Sequence, residues 1–109
     1  MKIKVLIVEP NEAPKVAVID DALEAMQEIV GGLIQPVYPL NFTDDAILIC
    51  NDEGKLLGLE PNAFLHDKNN VPYDVVCGTF FICNAPADSE NFESLTDAQI
   101  IKYCQMYAV

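Results

Sequence analysis

The sequence contains no arginine, no tryptophan and a single histidine, His66. Its charged groups are 6 lysines against 17 acidic residues, which gives a formal net charge of −11. Because proteins bind nucleic-acid phosphates through Lys and Arg, this balance argues against direct binding of nucleic acid. It also argues against binding to anionic membrane surfaces. The lack of Arg removes the side chain best suited to bidentate recognition of phosphate.

Long apolar runs are also missing. The three longest are Val5–Val8, Ala46–Cys50 and Phe80–Cys83, whereas a membrane helix needs roughly 20 apolar residues. The first residues lack the small-residue cleavage site of a signal peptide. With 109 residues, of which 51% are hydrophobic, the sequence predicts a single cytoplasmic domain over residues 1–109 with its own core.

The four cysteines are widely spaced and include no CxxC pair, so we expect reduced, mostly buried thiols rather than disulfides. With one histidine and no paired-cysteine motif, no metal site and no cofactor is predicted. We interpret Val75–Asn84 as one strand, in which Cys77 and Cys83 share a face. Their separation would be roughly 20 Å at about 3.3 Å per residue, too far for a bridge.

The hydrophobic periodicity predicts an α+β fold: a single small domain with a mainly antiparallel sheet, two main helices packed on it and a short helical insert. Asp21 with Glu24 fits a capping box for the first helix, which would end at Gly31–Gly32. Thr96 with Gln99 fits a second capping box. The predicted strands are Lys2–Val8, Lys15–Ile19, Leu33–Leu40, Ala46–Cys50, Lys55–Leu57 and Val75–Asn84.

Two further local features complete the predicted fold. Pro61 suits the first position of the helical insert, Pro61–Leu65, and Gly54 suits a positive φ in the turn before it. The last helix is expected to bury one stripe of side chains, made of Ile100, Ile101, Cys104 and Tyr107 or Ala108.

Lys55 and Asn62 lie at the two ends of the segment LLGLE. If the turn folds against the short helix, these two residues would face one pocket. Separately, the Gly78-Thr79 step would suit either a close approach of the backbone to a ligand or close packing against a helix or a bulky ring. The candidate ligand-binding residues are therefore Lys55, Asn62, Gly78 and Thr79. A purely structural interpretation remains open, with Asn62 satisfying backbone amides at the helix start.

The first helix carries the candidate protein-binding surface, which we call the acidic face: Asp20, Asp21, Glu24 and Glu28. These carboxylates would attract a basic partner, such as a protein that normally holds DNA. The alternative is that the charge only keeps a small protein soluble. The sequence does not decide between the two.

Several segments together resemble one family, catalogued as domain of unknown function 3846: MKIKVLIVEPNEAP, the helix ending VGG, CNDEGKLLGLEPNAFL, DVVCGTFFIC and FESLTDAQIIKY. The resemblance extends from Met1 to about Tyr107. It implies an origin in Gram-positive bacteria, their phages or their mobile elements, and it carries no established enzymatic activity. It also implies that Lys55, Asn62 and the Gly78-Thr79 step lie near one another. The family pattern usually has Arg after the residue matched by Asn62, and this chain has Ala63, so an anion site built on that Arg is not carried over.

These observations favour a non-enzymatic binding protein with no catalytic residues, in a host-directed or anti-defence role, whose partner is an unidentified host protein. One alternative is a protein that sequesters a small molecule such as a nucleotide signal, and a deep pocket containing Lys55, Asn62 and Thr79 would favour it. A third is an enzyme. For a cysteine nucleophile, His66 is the one available base and lies far in sequence from every cysteine. For an enzyme that uses a pair of carboxylates, the candidates are adjacent acids such as Asp44-Asp45, and adjacent acids in turns are usually solvated rather than catalytic.

Overall fold

The computed structural model describes residues 1–109 and contains seven strands and two helices. Five strands form one antiparallel sheet in the order β2-β1-β7-β4-β3, and β5 and β6 form a separate antiparallel hairpin. The predicted α+β class is confirmed. The elements are β1 Lys2–Val8, β2 Lys15–Asp20, α1 Leu23–Val30, β3 Ile34–Val37, β4 Ala46–Asn51, β5 Pro61–His66, β6 Pro72–Cys77, β7 Phe80–Asn84 and α2 Asp97–Met106.

The sheet is covered on both faces, which explains why β4 and β7 are apolar at successive positions and buried at every residue. One face packs against α1, through Met26 and Val30. The opposite face packs against α2 and the β5–β6 hairpin, through Tyr103, Leu65 and Val76. The two cores are therefore separated by the sheet itself, and both cavities described below lie on the hairpin side.

The two helices begin differently. The capping box predicted from Asp21 and Glu24 is wrong, because the N-cap of α1 is Ala22 and no side chain caps it. Asp21 is tied to the chain start instead, with its N–H donating to the Met1 carbonyl oxygen at 3.0 Å. The Thr96–Gln99 capping box of α2 is confirmed, and so is the left-handed C-cap of α1, where φ is 80° at Gly31.

The single strand predicted over Val75–Asn84 is wrong, because the chain breaks at Gly78 between β6 and β7. At this glycine φ is 89°, and an added Cβ would lie 2.7 Å from Leu59 Cδ1. Because the apolar residues continue on both sides of Gly78, the sequence pattern gives no indication that one strand ends there. Cys77 and Cys83 therefore lie in different strands of different sheets, so the predicted shared face does not exist.

The segment between β4 and β6 also differs from the prediction. Pro61–Leu65 belongs to strand β5 rather than to a helix, and Lys55–Leu57 lies in consecutive turns rather than in a strand. The positive φ falls on Gly58, at 69°, and not on Gly54. Gly54 instead allows the backbone of the turn to lie close to β6, since a Cβ there would be 2.6 Å from the Cys77 carbonyl oxygen.

The buried stripe of α2 is shifted relative to the prediction. Tyr103 is fully buried, whereas Ile101 is 61% exposed. Ile100, Cys104 and Tyr107 pack against the same core. The observed spacing, 100, 103, 104 and 107, is the regular helical pattern, and the expectation for Ile101 is therefore wrong.

Candidate functional site

Two cavities flank the β5–β6 hairpin. The first has a volume of about 440 Å³ and lies between β5 and the end of α2, with Asn62, Phe64, His66 and Tyr107 among its lining residues. The second has a volume of about 600 Å³ and lies between β6, the β3–β4 edge and the turn after β4. Both volumes fall within the range of small-molecule sites.

The four predicted ligand-binding residues do not line one cavity. Asn62 lines the first cavity and Lys55 lines the second, while Gly78 and Thr79 line neither. The expected proximity holds for one pair, because Asn62 Nδ2 lies 2.9 Å from the Gly78 carbonyl oxygen. The structure therefore splits the predicted set on either side of the hairpin.

Asn62 joins three parts of the fold. Its Nδ2 donates to the carbonyl oxygen of Val8 at 2.9 Å and to that of Gly78 at 2.9 Å. The side chain thus connects the end of β1, strand β5 and the break between β6 and β7. Since an amide nitrogen has two hydrogens, both of its donors are already used.

Lys55 forms an ion pair with Asp74 at the rim of the second cavity. The hydrogen bond that Lys55 Nζ donates to the Asp74 carboxylate raises the pKa of Lys55 and lowers the pKa of Asp74. Both side chains are largely exposed, so the pair contributes little to stability. An anionic ligand in this cavity would have to compete with the Asp74 carboxylate for the ammonium group.

Two cysteines, Cys50 and Cys77, line the second cavity. Burial raises the pKa of Cys50 to about 11, and burial within the sheet raises the pKa of Cys83 to about 12. Those two thiols therefore stay protonated near neutral pH and are poor nucleophiles. All four cysteines are free; Cys50 and Cys83 are buried, and Cys77 and Cys104 are half-buried. His66 lines the first cavity, where no cysteine is present.

Five of the six lysines are ion-paired with carboxylates, and Lys68 is the exception. Six acidic residues are paired with a lysine or with the terminal amine, and the other eleven of the 17 have no cationic partner. Within the acidic face, Asp20 lies 3.2 Å from Lys2 and Asp21 lies 3.6 Å from the terminal amine. Glu24 and Glu28 are exposed and unpaired.

A buried polar contact at Tyr103 was missed by the sequence interpretation. Its hydroxyl donates to Asp44 Oδ1 at 2.8 Å, and the Ala46 N–H donates to the same oxygen at 2.9 Å. Burial pushes the pKa of Asp44 upward, but these hydrogen bonds outweigh it and the pKa is lowered. The sequence pattern that could have indicated it is the helical spacing of apolar residues in α2, which includes position 103. A tyrosine hydroxyl buried at that position needs a hydrogen-bond acceptor.

The fold and these contacts define a small α+β protein with two hairpin cavities and an acidic surface. The chain belongs to the family described as Domain of unknown function (DUF3846), whose model matches residues 1–108. No curated protein and no solved structure matches the chain. None of its helices has the length and apolar character required to cross a membrane, and no cluster of three or more His, Cys, Asp or Glu side chains is placed to hold a metal ion.

Proposed function

We propose that this protein is a non-enzymatic binding module that engages a basic host protein through its acidic surface. The host-directed, phage or mobile-element role is the one suggested by the family resemblance. The observation that carries the proposal is the distribution of charge: eleven carboxylates lack a cationic partner, whereas Lys68 is the one lysine without an anionic partner. Such a surface attracts basic partners over several ångströms and speeds their association.

The exposed side of α1 is the part of this surface that we assign to the partner. Glu24 and Glu28 are four residues apart and therefore lie one turn apart on the same face. No lysine lies within α1 to compensate them. Asp20 and Asp21 lie just before the helix, so the acidic face is continuous along the chain from strand β2 into α1.

A nucleotide-sequestering function receives less support from the two cavities. Phosphate groups need cations or free N–H donors. Lys55 is paired with Asp74, and both donors of Asn62 are bonded to backbone carbonyls. The second cavity, at about 600 Å³, is nevertheless of suitable size for a small molecule and supports an uncharged ligand as the second candidate.

The test uses a partner captured from host cells with the wild-type protein and identified by mass spectrometry. Association rates are then measured at two ionic strengths for the double variant Glu24→Gln/Glu28→Gln. We expect slower association, with the larger loss at low salt. The control is Glu12→Gln/Glu60→Gln, which makes the same change in formal charge away from α1 and is expected to retain most of the rate.

Equal effects of the two double variants would mean that only the overall charge matters, which contradicts a binding role for α1. Native mass spectrometry of the same captured sample addresses the second candidate directly. A retained small molecule without a protein partner would overturn the proposal.

A further inference from the structure

Strand β2 lies at the edge of the five-stranded sheet and has β1 as its single neighbour. Lys4 of β1 is opposite Val18. The N–H of Lys4 donates to Ser94 Oγ at 2.9 Å, and its carbonyl oxygen accepts from the Leu95 N–H at 2.9 Å. The backbone of Lys4 therefore points away from β2.

Residues directly opposite each other in an antiparallel pair either bond to each other or both turn away. The backbone N–H and carbonyl groups of Val18 therefore point outward, away from β1. The same holds for Val16, which lies two residues earlier and is opposite Leu6. We call this row of unpaired groups the free edge of β2.

Between its charged ends, Lys15 and Asp20, the free edge lacks the features that usually protect an exposed strand. Six consecutive residue pairs join β1 and β2 without a bulge, and residues 16–19 include no proline and no charge. The side chains of Val16 and Val18 are 51% and 62% exposed. The opposite edge differs, because β3 has four residues and contains Pro36.

We propose that the free edge of β2 binds an extended segment of a basic partner protein as an added antiparallel strand. The main-chain groups of Val16 and Val18 would supply the hydrogen bonds, and their side chains would favour apolar residues at alternate positions of the segment. The basic character of the partner rests on the proposed function. The free edge ends at Asp20 and leads along the chain into the acidic face, so lysine or arginine residues of the bound segment would be attracted by its carboxylates.

The net charge argues against a second copy of this chain as the molecule bound at the free edge. Pairing two β2 strands would bring together two molecules that each carry a net charge of −11. A basic peptide gains attraction where a second copy meets repulsion.

The test follows the amide N–H groups of Val16 and Val18 by NMR while a probe peptide is added. The probe is a synthetic peptide of alternating lysine and valine; the matched peptide has glutamate in place of lysine. At about 1 mM lysine–valine peptide, we expect chemical-shift changes and slowed hydrogen exchange at both amides. The glutamate–valine peptide is expected to produce neither.

Two variants make the assignment specific. Val18→Pro removes an outward N–H that takes no part in the β1–β2 ladder, so the fold is retained and affinity for the lysine–valine peptide falls about tenfold or more. Val18→Lys is expected to weaken binding by repulsion. Its control, Leu33→Lys, makes the same charge change at another exposed apolar residue and leaves binding close to wild type.

The absence of any effect at Val16 and Val18 with the lysine–valine peptide would overturn the proposal. Equal binding of the glutamate–valine peptide would contradict the proposal that the bound segment is basic. Slowed exchange at these amides that depends on protein concentration without peptide would assign the edge to a second copy and also overturn it. Because this readout is local to β2, it succeeds or fails independently of the association rates measured for the α1 variants.

Discussion

The sequence left two roles open for Asn62, a ligand contact or a structural one, and its contacts favour the structural role. Its Nδ2 is the donor for the carbonyl oxygens of Val8 and Gly78. Replacing Asn62 with Ala leaves two carbonyls without this donor, at a cost of roughly 1–3 kcal/mol in the free energy of unfolding. Urea denaturation measures the loss. The control Asn91→Ala, at an exposed position in the loop after β7, is expected to change stability by less than about 0.5 kcal/mol.

If Asn62→Ala unfolds at the same urea concentration as wild type, then the side chain does not connect these strands. The first cavity would then contain a free amide group, and the ligand role predicted from the sequence would regain support.

Gly78 combines two constraints that can be measured separately. Its φ of 89° disfavours any other residue, and an added Cβ would lie 2.7 Å from Leu59 Cδ1. Gly58 has a positive φ of 69° but no atom within 4 Å of an added Cβ. We expect Gly58→Ala to cost about 1 kcal/mol through backbone strain, and Gly78→Ala to cost about 1–2 kcal/mol more through the added clash.

The double variant Gly78→Ala/Leu59→Ala tests that explanation by thermal or urea unfolding. Removing the leucine side chain should recover part of the additional loss, so the double variant should be less destabilised than the sum of the two single variants. Strict additivity would show that Leu59 is not the cause.

At the scale of elements, the sequence predicted the helices and strands that have a clear hydrophobic periodicity. It missed the elements whose structure is decided by tertiary contacts. Strands β1, β2 and β4 and both helices lie close to their predicted positions. The helical reading of Pro61–Leu65 relied on proline at a first helical turn, yet the segment pairs with β6 across the hairpin. Proline is equally acceptable as the first residue of a strand.

The candidate site was predictable only in part. The family resemblance anticipated the proximity of Asn62 to Gly78, whereas Lys55 lies on the other side of the hairpin. The reason is the break at Gly78: one long strand would have kept these residues on a single surface, but two strands in different sheets separate them. A single sequence gives no direct indication of which sheet each half joins.

The two helix starts provide a matched test of capping. Thr96 Oγ1 accepts from the Gln99 N–H at 3.2 Å, and Gln99 Oε1 accepts from the Thr96 N–H at 2.9 Å. Thr96→Ala is therefore expected to cost about 1 kcal/mol in unfolding free energy. Asp21→Ala, which removes a predicted cap that does not form, is expected to cost less than about 0.5 kcal/mol. The reverse order in urea denaturation would contradict the assigned caps.

At the scale of the whole molecule, Asp44 joins α2 to the start of β4. Its carboxylate accepts from the Tyr103 hydroxyl and the Ala46 N–H, and it lies 3.4 Å from Lys102 Nζ. The balance of burial and these contacts lowers the pKa of Asp44 from its ordinary value of 3.8. A carboxylate with a lowered folded-state pKa contributes its stability above the unfolded value and loses it as the pH falls through the folded value.

We therefore expect the wild-type protein to lose part of its unfolding free energy as the pH is lowered below about 4. Asp44→Asn should be less stable than wild type by roughly 1–3 kcal/mol at pH 7, because a neutral amide accepts these hydrogen bonds more weakly. The difference should shrink at acid pH, where the wild-type carboxylate is also neutral. Urea denaturation across pH measures it, with Asp45→Asn as control, since the exposed Asp45 carboxylate makes no hydrogen bond or ion pair. A difference independent of pH would mean that Asp44 stabilises the fold by packing rather than by its charge.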